Sequence, residues 1–132
     1  MKKIIYLAVM LTSLSATAAT PPDVSEKVLK DFKTTFADAS NVVWTEAENS
    51  YKATFVLSEI RARVVYDNDG NLLQTVRYYS EKFLPPNIVA SINKRYAGKE
   101  IFGVTEISSE TSMDYHVTRR DEKSWYVVKA DP

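Results

Sequence analysis

Apolar and polar residues alternate on both sides of Ser58-Glu59, from Tyr51 to Leu57 and from Ile60 to Tyr66. Apolar residues at every second position, with only Val56 and Val65 interrupting the polar set between them, are the signature of strands with one buried face. Counting outward from the turn pairs Leu57 with Ile60, Phe55 with Ala62, Ala53 with Val64 and Tyr51 with Tyr66. Directly opposed residues share a face, so these eight predict a core side. Lys52, Thr54, Val56, Arg61, Arg63 and Val65 fall on the other side. The run Asp67-Asn68-Asp69-Gly70-Asn71 supplies residues that tolerate positive φ and predicts a second hairpin turn. Leu72 to Tyr79 is the outgoing strand, with either Leu72 or Leu73 able to face the core.

The period changes to that of a helix upstream. Val24, Val28, Phe32 and Phe36 recur every four residues, and Asp23 with Glu26 forms a capping-box pattern, so a helix is expected from Asp23 to about Phe36. Lys27, Lys30, Asp31 and Lys33 lie off that stripe, and the lysines read as a solvated side. Val42 to Thr45 predicts a first strand, in which Val43 and Trp44 point to opposite faces and either could be inside. A second helix opens at Leu84-Pro85-Pro86-Asn87, with Ile88, Ile92 and Tyr96 as its stripe and Gly98 as its stop. Strands then follow at Ile101 to Ile107, Tyr115 to Arg120 and Ser124 to Lys129.

The second half echoes the first. At an offset of sixty, Val28, Phe32 and Phe36 meet Ile88, Ile92 and Tyr96; at sixty-four, Tyr51, Thr54 and Val64 meet Tyr115, Thr118 and Val128. The expected fold is therefore α+β: two tandem repeats of helix plus antiparallel strands, 23–80 and 84–132, forming one sheet with both helices on one face. Antiparallel sheets tolerate a second face open to water. Arg119 is a misfit in this scheme, because it aligns with Phe55 on the core side.

Composition narrows the class. Hydrophobic residues make up 45% and charged residues 26% of the 132, which suits a globular domain. Seventeen basic and seventeen acidic residues cancel, against the clustered positive excess that nucleic acid requires. Met1-Lys2-Lys3, the apolar run Ile4 to Leu14 and the small residues Ser15 to Ala19 form a secretory signal peptide over residues 1–19, with cleavage expected after Ala18 or Ala19. The remaining 20–132 is expected to be one soluble domain without a membrane anchor, in the periplasm or outside the cell. The chain has no cysteine, so disulfides, thiolate metal sites and cysteine catalysis are excluded.

The order of these motifs resembles a known family. A helix ending in Phe36-Ala-Asp-Ala runs into Asn41-Val-Val-Trp44; Tyr51-Lys-Ala-Thr-Phe55 and Val64-Val-Tyr-Asp67-Asn-Asp-Gly70-Asn-Leu72 follow, and Leu84-Pro85 opens the next helix. This is similar to the PepSY-like, β-lactamase-inhibitor-like group of small exported bacterial proteins. The resemblance spans nearly the whole mature chain. It implies two helix-plus-sheet units in one continuous sheet, export from a Gram-negative cell, and an association with peptidase inhibition or chaperoning. The inhibitors behind the name bind an enzyme through a concave sheet, but none of their contact residues can be placed on this chain.

His116 is the sole histidine, lies in a predicted strand and has no nucleophile motif beside it. Asp67 to Asn71 resembles the start of a calcium loop, but the twelfth position is Tyr78 where a bidentate glutamate is needed. The pairs Asp121-Glu122 and Glu46/Glu48 sit at turns. The expectation is therefore a protein that is not an enzyme and holds no metal or cofactor. Most of the aromatics, Tyr66, Tyr78, Tyr79, Tyr115 and Tyr126 among them, are expected at the core or its edge. The remaining signal is the open sheet face. Its candidate partner-binding residues are Lys52, Arg61, Arg63, Arg120, Trp125 and Val127, joined by His116, Thr118 and Lys129. Arg and Trp dominate interface hot spots, so the partner expected here is a protein or peptide, such as a peptidase or another envelope protein. The alternative is a small-ligand or peptide-binding protein that uses a groove or a strand edge.

Overall fold

A computed structural model describes residues 22–132. The signal peptide expected over residues 1–19, with its expected cleavage positions Ala18 and Ala19, lies outside the described residues. The chain forms helix α1 (Glu26–Thr35), then strands β1 (Ser40–Ala47), β2 (Ser50–Leu57), β3 (Ile60–Asp67) and β4 (Leu72–Tyr79). A 3₁₀ turn (Glu81–Phe83) leads to α2 (Pro86–Arg95), and β5 (Glu100–Ser108), β6 (Met113–Arg120) and β7 (Trp125–Ala130) complete the order. The seven strands make one sheet in the order of the sequence, every neighbouring pair antiparallel. The architecture is α+β.

The central hairpin has the register that its alternation dictates: Tyr51 opposes Tyr66, Ala53 opposes Val64, Phe55 opposes Ala62 and Leu57 opposes Ile60. The turn demands left-handed backbone at both corners, and Ser58 (φ 48°) and Glu59 (φ 68°) adopt it. That twist matches the strands, and it is maintained here without the Asn-Gly pair that accepts it most cheaply. The β3–β4 turn is built around one carboxylate. Asp67 Oδ1 accepts from the backbone N–H groups of Asp69 (2.9 Å) and Asn71 (2.8 Å), and Oδ2 accepts from Asn71 Nδ2 (2.8 Å). These bonds hold the Asp67 carboxyl below its usual range. Gly70 (φ 89°) brings this turn against α1, where a Cβ would meet Lys27 Cβ at 3.2 Å.

Asp114, bonded to Lys129, and Asp121, bonded to the backbone N–H of Lys123, are also held low. A carboxyl with a depressed folded pKa stabilises the fold above its unfolded value and loses that contribution as pH falls through the folded one. The melting temperature is therefore expected to hold steady near neutrality and to fall progressively below about pH 4. Asp67→Ala should lower stability near neutral pH and flatten part of that acid slope, as read from thermal melts across pH.

Two apolar clusters fill the interior. In one, Val28 and Phe32 of α1 pack with Ala53, Phe55, Ala62, Val64 and Tyr66. Phe55 meets Phe32 edge-on at 5.0 Å and Phe36 at 4.9 Å between ring centroids. In the other, Ile88 and Ile92 of α2 pack with Tyr79, Leu84, Ile101, Val104, Tyr115 and Val117. Buried polar bonds tie each cluster to its surroundings. Tyr66 Oη donates to Asp31 Oδ2 (2.7 Å), and Tyr79 Oη donates to Glu106 Oε2 (2.6 Å). Burial, reinforced by the acceptor carboxylate, pushes both hydroxyls well up, so they remain protonated donors.

Several local expectations are corrected. The cap of α1 is Ser25, whose Oγ accepts from Val28 N (3.5 Å), not Asp23; the chain enters the helix two residues later than the capping box implied. Trp44 faces inward, with its ring 5.1 Å from that of Phe32, while Val43 is exposed. Tyr96 ends α2 as its C-cap and is 39% exposed, so the apolar stripe stops at Ile92. Leu72 and Leu73 are both largely exposed, because β4 is shifted in register against β3 near Tyr66.

Candidate functional site

The strand registers determine which side chains share a face. On the side opposite the buried residues of β2 and β3, one row runs Val56, Arg61, Tyr78, Thr105, His116, Lys129, and its neighbour runs Val43, Thr54, Arg63, Val76, Ile107, Asp114. Lys52 lies beside Val65 on this side, Val127 opposes Thr118 and Trp125 opposes Arg120. All six candidate residues therefore stand on one side of one sheet. Seven strands at about 4.8 Å spacing make that side roughly 29 Å wide, the scale of a protein contact.

Two groups of side chains stand out on it. The first is cationic. Lys52, Arg61 and Arg63 come from adjacent strands, and among the described residues none of them takes part in an ion pair. The Arg61 guanidinium lies over the Tyr78 ring at 5.4 Å. Arg63 is half-buried, and its Nε is sealed from solvent without a hydrogen-bond acceptor. Beside it Val76 is only 2% exposed, so this side is partly closed at its centre and not open throughout. Tyr78 belongs to this face, not to the core, because its neighbour Tyr79 takes the buried side.

The second group is aromatic, at the β5–β7 end. Phe102 and Trp125 meet edge-on at 4.7 Å, and the Arg120 guanidinium lies 5.1 Å from the first ring and 5.9 Å from the second. Phe102 is 55%, Trp125 60% and Val127 67% exposed. Arg120 is also paired to Glu100 at 3.2 Å, and Lys129 to Asp114 at 3.2 Å. Phe102 is the member that sequence reasoning missed. Simple alternation from buried Val104 puts Phe102 on the core side, but the register shifts between Ile101 and Gly103 and moves it across. A bulge of this kind re-aims a side chain, and the adjacent glycine is the one sequence sign of it.

His116 lies between Thr105 and Lys129 in the row, half-buried. Arg119 is explained by the far end of α2. It is 1% exposed, and its guanidinium donates to Asn93 Oδ1 (3.2 Å), to the Tyr96 carbonyl (2.8 Å) and to the Lys99 carbonyl. It closes the negative end of the helix, where carbonyls otherwise lack donors.

A concavity lies between the two apolar clusters. It measures about 430 Å³ and is lined by Phe36, Leu57, Ile60, Arg77, Glu106 and Met113 among others. Its polar floor is satisfied internally: Glu106 accepts from Tyr79 and stands 3.4 Å from Arg77 Nη1. No helix among the described residues is long and apolar enough to cross a membrane.

Comparison with known proteins gives the fold. No family model matches the chain, and no curated protein matches it in sequence. Solved structures do. A BLIP-like protein of Bacteroides fragilis superposes with a TM-score of 0.68 at 18% identity, covering 87% of this chain and 82% of its own. A DUF2874 family protein of Bacteroides ovatus gives 0.68 at 18%, covering 86% and 82%. A protein of Bacteroides eggerthii provisionally described as periplasmic gives 0.67 at 15%, covering 85% and 82%. The resemblance to β-lactamase-inhibitor-like proteins is thereby supported at the level of fold.

Proposed function

We propose that this chain is an exported, non-enzymatic binding module that holds a protein partner against the sheet face bearing Arg61, Arg63 and Trp125. In this reading the two helix-plus-strand units are tandem repeats of one PepSY-like domain, and both helices cover the same face, leaving the other for the partner. The leader expected at residues 1–19 and the provisionally periplasmic description of a structural neighbour support placing it in the cell envelope. The observation that carries the proposal is the unpaired cationic group Lys52, Arg61 and Arg63 on the same face as the exposed Phe102–Trp125 pair. An aromatic anchor supplies buried area, and desolvated cations select carboxylates, so the partner presents an acidic surface flanking an apolar pocket. An envelope peptidase with such a surface fits.

The test compares wild type with Arg61→Glu/Arg63→Glu/Trp125→Ala in crosslinking capture from an envelope extract, followed by affinity measurement on the captured protein. Arg61 and Trp125 are exposed and Arg63 is half-buried, so the melting temperature of the variant is measured alongside binding and Arg61→Glu/Trp125→Ala, which spares the half-buried site, serves as the second variant. Binding should weaken by more than a hundredfold, with about 1–3 kcal/mol from each lost contact. Equal capture by both folded proteins would remove this face from consideration.

A second reading is favoured by the 430 Å³ concavity between the clusters, whose walls are mostly apolar. A small ligand held there would raise the melting temperature of wild type and of the triple variant alike.

A further inference from the structure

The two edges of the sheet are not equivalent. At β1 the pairing with β2 is interrupted between Ser40 and Val43, and Asn41 turns to φ 53°. A bulge of this kind blunts an edge against further pairing. At β7 nothing comparable intervenes. Its six residues, Trp125 to Ala130, pair with β6 without a register shift, contain neither proline nor glycine, and carry a single charge, Lys129. Trp125 and Val127 are exposed on it.

The direction of its free backbone groups follows from the hairpin. Asp121 N donates to Ser124 O at 3.1 Å, which makes that a hydrogen-bonded pair. Bonded and non-bonded pairs alternate along an antiparallel ladder. Arg119–Tyr126, Val117–Val128 and Tyr115–Ala130 are therefore the bonded pairs. Trp125, Val127 and Lys129 consequently direct their N–H and C=O groups away from β6, toward the edge.

We infer that β7 pairs antiparallel with β7 of a second copy, centred on Val127, to give a twofold dimer with one continuous sheet. The sequence around β7 is self-complementary in that register. Val127 opposes the partner's Val127, and both direct free backbone groups toward the contact. Trp125 opposes the partner's Lys129, placing an ammonium beside an indole. Lys123 and Asp131 flank β7 at equal sequence distance from Val127, outside the strand itself. Centring on Val128 instead would set the Trp125 indole against the partner's Asp131 carboxylate, which loses the cation–aromatic contact. An isologous contact needs a patch that complements itself, and the Val127-centred register provides one. The pairing uses the strand edge and leaves the side chains of Lys52, Arg61 and Arg63 free, but it engages Trp125 and Val127, which the protein-partner reading also uses. Dimerisation and partner capture are therefore read by separate variants, Val127→Pro for the first and Arg61→Glu/Arg63→Glu for the second.

The test uses the processed chain purified from the envelope of expressing cells. Sedimentation equilibrium from low micromolar to near-millimolar concentration should show a reversible monomer–dimer transition. Val127→Pro removes an N–H that faces away from β6, so the fold should persist while dimerisation weakens at least tenfold. The register is read separately. Two copies of Val127 would stand roughly 5.5 Å apart at Cα, within disulfide reach, whereas two copies of Lys129 would be offset by about 13 Å along the strands. In this cysteine-free chain, Val127→Cys should form an intermolecular disulfide at least tenfold faster than Lys129→Cys, and the two rates should converge in denaturant. A wild type that stays monomeric throughout, a Val127→Pro variant that dimerises like wild type, or equal crosslinking at the two positions would overturn the inference.

Discussion

Arg119→Leu is expected to destabilise the fold by about 3 kcal/mol and to lower the melting temperature by roughly 10–20 °C. The guanidinium is 1% exposed and serves three acceptors, Asn93 Oδ1 and the carbonyls of Tyr96 and Lys99. Leucine removes all of these donors at once. Water cannot reach most of the site, so the acceptors lose partners that nothing replaces. The last turn of α2 and the chain into β5 should then fray, and amide exchange should accelerate locally around Tyr96 to Lys99. An opposing cost exists: the cation is buried without a carboxylate, and its Nε has no hydrogen-bond partner. Arg119→Lys separates the two effects. It keeps the charge but loses the planar fork, and should recover less than half of the lost stability. A melting temperature unchanged in Arg119→Leu would mean that desolvating the guanidinium costs as much as its three bonds return.

Phe55→Ala should cost more, about 4 kcal/mol. Phe55 is 1% exposed, at the junction of β2 with α1, and its ring touches both Phe32 and Phe36. Truncation loses the transfer energy of the ring, its edge contact with Phe32, its tilted contact with Phe36 and the filling of the space between β2 and α1. Against a total stability of about 5–15 kcal/mol, this leaves a marginal protein. Urea unfolding should show a lower midpoint with an unchanged slope, and Phe55→Leu should recover most of the loss. A cost below about 1 kcal/mol would show that α1 closes over the gap. Phe55 faces away from Arg61 and Arg63, so the folded fraction of either variant should bind a sheet-face partner as wild type does.

The pair also marks the limit of reading by alignment. Phe55 and Arg119 are equivalent positions in the proposed repeat, and both are buried. Phe55 fills the space between its strand and α1, whereas Arg119 reaches the end of α2 and satisfies its carbonyls. Alternation correctly placed Arg119 on the inner side. What made burial of a cation tolerable was the helix terminus above it, which lies more than twenty residues away in sequence.

What the sequence determined by itself was local. The Tyr51–Tyr66 hairpin, its turn at Ser58-Glu59, the two amphipathic helices and the membership of Lys52, Arg61, Arg63, Arg120, Trp125 and Val127 on outward strand positions all follow from period-two or period-four patterns. Burying one face forces those patterns whatever the partner elements are. The tertiary structure decided what depends on a neighbour distant in sequence. It paired β4 with β5 across an intervening helix, turned Trp44 inward onto Phe32, and moved Phe102 to the Trp125 side through a bulge. The physical reason is that alternation fixes relative facing within a strand, whereas register, bulges and helix docking are set by hydrogen bonds and packing between strands. A single inserted residue reverses every facing beyond it, and no local pattern records where that insertion falls.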